Sequence, residues 1–170
     1  MHLEYTDLIS YTDWKRRKWY NWFRRHEQSV LTMSAGPHGD GRFQTIGDLV
    51  RHIFMAEKRY VERLGGRPLT DMASIPSDNL EALFEFGQQS RREFKELLET
   101  FPAGEWEAIR ELKFPIGSAK ATPRKITTHV LTHEIRHWAQ IMTMLRWAGL
   151  TEEFHDLLFS PVMGGEWIPG

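Results

Sequence analysis

The sequence has no cysteine among its 170 residues. Disulfides, thiolate metal ligands and a cysteine nucleophile are excluded together, so any metal must be held by nitrogen and oxygen. An excess of charge of either sign is also missing: 22 Lys and Arg stand against 23 Asp and Glu, for a net charge of −1. Phosphate binding is driven largely by excess cations, so this balance argues against a general nucleic-acid or anionic-membrane partner. No run of 18 apolar residues occurs, and the first residues lack an apolar stretch of signal-peptide type, which together predict a cytoplasmic protein with no membrane partner. There is no internal repeat and no low-complexity segment. Residues 1–170 have the length of one domain with a single sizeable core.

What is present is apolar periodicity at helical spacing. A first helix is expected from about Asp7 to Val30, with Leu8, Tyr11, Trp14, Trp22 and Phe23 as its bulky contacts. Its basic run Lys15-Arg16-Arg17-Lys18, together with Arg24-Arg25, interleaves with Trp19, Tyr20 and Trp22. Nine acids against four bases between Asp78 and Glu111 favour a solvated, mutually paired surface over a nucleic-acid patch. Ala35 to Phe43 is a glycine-punctuated loop. Thr45 and Asp48 then form a capping-box pattern for a second helix, through Ile46, Leu49, Val50, Ile53, Ala56, Tyr60 and Leu64 to Gly65-Gly66. A third helix is expected from about Asp78 to Thr100, ending at Phe101-Pro102, with Glu81, Glu85, Glu93, Glu96 and Glu99 on a solvent face. Trp106 to Lys120 reads as a strand-like connection, since Leu112, Phe114 and Ile116 alternate with Lys113 and Pro115. Thr122-Pro123 opens a fourth helix that runs to about Ala148, capped by Gly149. The tail from Thr151 to Gly170, with Phe154, Leu157, Leu158, Phe159 and Trp167, is expected to pack back over the helices. Four helices with long crossing connections give an all-α, four-helix-bundle expectation.

The fourth helix carries the chemistry. Thr132-His133-Glu134-Ile135-Arg136-His137-Trp138-Ala139-Gln140 sets two histidines four residues apart, one turn along the same face and within reach of a single ion. Both belong to the series Ile126, Val130, His133, His137, Ile141, Met144 and Ala148, so they face inward. A buried imidazole without a partner costs roughly 1 to 3 kcal/mol, so two on a core stripe need either a ligand or neighbouring helices to bond. His129 precedes His133 by four as well. His129 and His137 are about 12 Å apart along the axis and cannot share an ion, and the apolar stripe favours His133 with His137. On the second helix, His52 lies on the flank of the apolar stripe, placed either to reach a neighbouring helix or to sit as an ordinary boundary histidine. Glu57 lies nearer the stripe's centre than a solvated acid should, there to orient a metal-bound histidine or to meet an arginine. A second apolar face of the fourth helix, Leu131, Ile135, Trp138, Met142 and Leu145, means either a central place in the fold or contact with a second copy, a homodimer.

A histidine early in the second helix, in Thr45-Ile46-Gly47-Asp48-Leu49-Val50-Arg51-His52, precedes the downstream run His129-Val130-Leu131-Thr132-His133-Glu134-Ile135-Arg136-His137-Trp138-Ala139-Gln140. This pairing, with the closing Leu145-Arg146-Trp147-Ala148-Gly149, resembles the DinB/YfiT-like superfamily over most of the chain. The resemblance implies a four-helix bundle whose metal ligands fall on His52, His133 and His137. Where many members have His-Arg-Gly-Gln, this chain has His137-Trp138-Ala139-Gln140, which keeps the ligand histidine and changes what packs beside it. Characterised relatives include thiol-dependent S-transferases and isomerases that use bacillithiol or mycothiol. The resemblance therefore implies a metal-dependent enzyme acting on a small-molecule substrate, a transferase using a low-molecular-weight thiol or a hydrolase using water. One divalent transition metal is expected, with Zn, Ni, Fe, Mn and Co all compatible with imidazole ligands. Glu57, Glu134 and His129 are the candidates for catalytic acid, base or supporting roles.

Two other readings share these residues. His133-Glu134-x-x-His137 matches the metalloprotease motif with Glu134 as general base, but the extended motif fails because Gln140 and Thr143 stand where Gly and His are required. A downstream ligand from Glu152 or Glu153 would lie just beyond the helix-breaking Gly149. The other alternative is a non-catalytic bundle that binds a metal, a ligand or a partner.

Overall fold

The computed structural model describes residues 4–26, 29–151, 155–164 and 167–168. Helix α1 (Tyr5–Arg25) is followed by the single turn α2 (Ser29–Thr32). The long helices α3 (Ile46–Leu64) and α4 (Leu80–Thr100) come next. Strands β1 (Arg110–Phe114) and β2 (Gly117–Ala121) precede α5 (Pro123–Trp147). The single first helix expected to reach Val30 stops at Arg25, with His26 extended at φ −106° and ψ 136°.

The helix ends follow from local chemistry. Thr45 Oγ1 accepts from the Asp48 amide while the Asp48 carboxylate accepts from the Thr45 amide, closing the capping box that starts α3. Asn79 caps α4 through the Ala82 amide, and Thr122 caps α5 through the Lys125 amide ahead of Pro123. The strand-like connection is an antiparallel hairpin pairing Arg110 with Ala121 and Phe114 with Gly117. Leu112 points inward and joins Ala121 and Ile126 against Tyr60 and Leu64, so the hairpin covers the end of α3 and the start of α5. Ile116, expected to continue the alternation, is fully exposed at the turn.

The four long helices pack as a helical bundle in which α3 touches both α4 and α5, and α1 touches both α5 and α4. Trp19, Ile46, Leu49, Val50, Phe54, Leu83, Trp138, Ile141 and Leu145 form the main core. The close α3–α4 approach depends on Gly87, where an added Cβ would sit 2.8 Å from the Phe54 ring. Leu131, Trp138 and Leu145 of α5 are fully buried within the chain. Ile135 and Met142 of the same face are only partly buried. Among the described residues no helix is long and apolar enough to cross a membrane. Phe154 of the tail, and Glu152 and Glu153, lie outside the described residues.

Candidate metal centre

Histidines from two helices meet where α3 crosses α5. His52 projects from the second turn of α3, and His133 and His137 lie one turn apart on α5. Nε2 of His133 is 3.1 Å from Nε2 of His52 and 3.1 Å from Nε2 of His137. A ligand atom from each of the three lies within 4.8 Å of the others. Two imidazole nitrogens held at about 2.05 Å from one tetrahedral ion stand about 3.3 Å apart, close to the two 3.1 Å separations at His133. The donor set is all nitrogen, one of the nitrogen and oxygen combinations open to a chain without cysteine.

The hydrogen bonds around His137 select the tautomer that a metal ligand needs. Gln140 Nε2 donates to the carbonyl of His38, which turns the amide oxygen toward α5. His137 Nδ1 donates to Gln140 Oε1 at 2.8 Å. The lone pair is thereby left on Nε2, where the Arg136 guanidinium donates to it at 3.0 Å. An ion at Nε2 would take the place of this donation, and the exposed Arg136 side chain is free to swing aside. His133 Nδ1 is buried and has no hydrogen-bond partner among the described residues.

Electrostatics keeps all three rings neutral. Burial is the main cause, and it pushes His52 down to about 4 and His133 lower still. His137 is lowered chiefly by burial too, with Arg136 and Arg42 adding to the effect and the Gln140 bond and Asp40 opposing it. Neutral imidazole is the metal-binding form. The loop before α3 closes the site from above: Phe43 lies 4.8 Å from the His52 ring and 6.1 Å from that of His137.

The remaining candidates lie elsewhere. His129 is exposed, its ring 5.3 Å from that of His133 and 5.4 Å from Tyr60. It is outside the convergent group. Glu57 and Glu134 are not beside the histidines but in a buried ion-pair cluster with Arg16 of α1 and Arg91 of α4. Glu134 accepts from Arg16 Nε at 2.7 Å, from a second Arg16 nitrogen at 2.7 Å, from Arg91 at 2.6 Å and from Trp138 Nε1 at 3.1 Å. Glu57 accepts twice from Arg16 at 3.1 Å and lies 2.9 Å from Arg91. The reason is angular: Glu134 follows His133 directly, so it points about 100° around the helix, toward α1. Of the two roles open to Glu57, the arginine partner is the one its contacts supply. The protease reading needs Glu134 free to act as base beside the ion, and its enclosure by two guanidiniums removes that function.

Arg16 and Arg91 both lie on core stripes that the sequence displays. Ile9, Thr12, Arg16, Trp19 and Phe23 form one i, i+3/i+4 series on α1, and Leu83, Gly87, Arg91 and Phe94 form another on α4. An arginine on a core stripe signals a buried acid opposite. Lys15 and Arg16, expected in a solvated basic run, are both buried. Glu93 likewise leaves the expected solvent face of α4 to accept from Lys58 at 2.5 Å and Arg67 at 2.6 Å.

A comparison with curated proteins finds no match. The family model of the DinB family matches residues 1–166, nearly the whole length. With three histidines converging from two helices of a helical bundle, the chain belongs to the DinB family.

Proposed function

We propose that this protein is a metal-dependent enzyme built on the four-helix bundle of DinB/YfiT type, with His52, His133 and His137 holding one divalent transition ion. The observation that carries the reading is the convergence of three Nε2 atoms, with Gln140 fixing the His137 tautomer so that its Nε2 lone pair faces the other two rings. Zn, Ni, Fe, Mn and Co all suit an imidazole donor set. When bound, the ion supplies Lewis acidity, enough to hold an external thiolate or to lower the pKa of water toward neutrality.

Three protein ligands leave coordination positions for substrate, which is the pattern of catalytic rather than structural sites. Thiol-dependent S-transfer to a small electrophile is the reaction we favour, with hydrolysis as the variant in which water replaces the thiol. Proton exchange at the rim is the role we assign to His129, exposed to solvent with its ring 5.3 Å from that of His133. Phe43 and the loop around it shield the rings from solvent on one side.

The test is elemental analysis of protein purified without a nickel column, followed by a thiol-transfer screen. Wild type is expected to hold about one equivalent of a divalent ion, and His52→Ala and His133→Ala to lose it. His129→Ala should keep the ion and lose turnover. A wild type that neither carries nor accepts an ion would overturn the reading and leave the histidines as core residues of a binding bundle. Loss of the ion from His133→Ala alone would remove His52 from the ligand set.

A further inference from the structure

Beside His137, one of the three converging histidines, a cleft of about 400 Å³ opens to the surface, lined among others by Asp40, Arg42, Arg136 and Gln140. Its chemistry is unbalanced. Two guanidiniums face it against the one carboxylate of Asp40, and Asp40 is only loosely engaged, 3.3 Å from Arg42 with both side chains more than half exposed. A divalent ion on three neutral imidazoles would add two more positive charges beside the same cleft, and Asp40 is the one carboxylate among its described lining residues to set against them.

Neither arginine is committed elsewhere as Arg16 and Arg91 are. Arg42 lies over the Phe43 ring at 5.1 Å, which holds its guanidinium at the mouth of the cleft. Arg136 donates to His137 Nε2, a contact that an ion would displace, freeing a fork of donors at the edge of the site. A guanidinium fork matches the two oxygens of a carboxylate.

We infer that this cleft is an oxyanion subsite, and that the small molecule brought to the histidine centre carries a carboxylate a few bonds from its reacting atom, held by Arg42 and Arg136. The inference rests on the proposed metal function and names the substrate class for it. Charge neutralisation and orientation come from the same contact: the carboxylate offsets the cationic cleft and presents the other end of the molecule to the ion.

The test is calorimetric titration of zinc-loaded protein with 3-mercaptopropionate, with 2-mercaptoethanol and with propionate, in wild type, Arg42→Gln and Arg136→Gln. Wild type should bind 3-mercaptopropionate at least about tenfold more tightly than 2-mercaptoethanol, the gain from one charge-assisted hydrogen bond. Each arginine variant should reduce that preference, with zinc content unchanged. Because the Arg42 side chain is 60% exposed, its replacement does not perturb the core. Equal binding of the two thiols to wild type, or a preference that survives in both variants, would overturn the subsite while leaving the metal function standing. Arginine-dependent binding of propionate, with no binding of the neutral thiol, would support the subsite and count against the thiol chemistry.

Discussion

Replacing Glu134 by alanine separates a structural carboxylate from a catalytic one. In the folded protein Glu134 is 1% exposed and accepts four hydrogen bonds, from Arg16, Arg91 and Trp138. Its removal leaves two buried guanidiniums sharing Glu57, with Asp13 at 3.5 Å from Arg91 as a further carboxylate beside them, and an undercompensated buried charge costs about 3 to 5 kcal/mol. Against a typical stability of about 5 to 15 kcal/mol, that is a large fraction of the whole. With a urea slope of about 2 kcal/mol/M, the unfolding midpoint should fall by roughly 1.5 to 2.5 M at pH 7. The double variant Glu134→Ala/Arg91→Ala should lose less than the sum of the single losses, because each single leaves a charge that the other removes. The pH dependence has a definite sign. Burial alone would raise the Glu134 pKa, but the Arg16 and Arg91 guanidiniums outweigh it and hold the carboxyl below its ordinary range. The stability that Glu134 contributes is thus fully present above its unfolded value of about 4.3 and is lost as pH falls through the folded one. Glu134→Gln should lack that part of the acid slope. A destabilisation under about 1 kcal/mol, the worth of an exposed ion pair, would refute the buried-cluster argument. If turnover were lost with stability intact, the general-base role would return.

Gln140→Leu should retain the fold but weaken metal affinity by about 10- to 100-fold, read by competition with a chelator, because His137 loses the acceptor that fixes its tautomer. Gly87→Ala should lower stability by about 1 to 3 kcal/mol in thermal or urea unfolding, since the new methyl meets the Phe54 ring. Metal-free protein should become less stable as pH falls below about 6.5, the unfolded histidine value, because His52 resists protonation until about 4. Urea titrations at pH 7.5 and pH 5 measure that loss, and His52→Asn should remove part of it.

Periodicity, caps and breakers determined most of the secondary structure from the chain alone. The capping box at Thr45 and Asp48, the Thr122-Pro123 start of α5 and the Gly65-Gly66 stop are local rules satisfied by neighbouring residues. The pairing of His133 with His137 is equally local, because a spacing of four on one helix sets two side chains on one face whatever the rest of the chain does. The DinB resemblance was likewise visible in the order of these motifs. What periodicity cannot supply is the rotation of one helix against another. That rotation puts His52 within 3.1 Å of His133, and it turns Glu57 and Glu134 toward Arg16 and Arg91 rather than toward the rings. It also brings the loop carrying Arg42 beside Arg136, ninety-odd residues downstream, to make one cationic cleft. A sequence pattern reports a side chain's direction about its own helix axis, whereas the partner it meets depends on packing between helices, which only the folded chain decides.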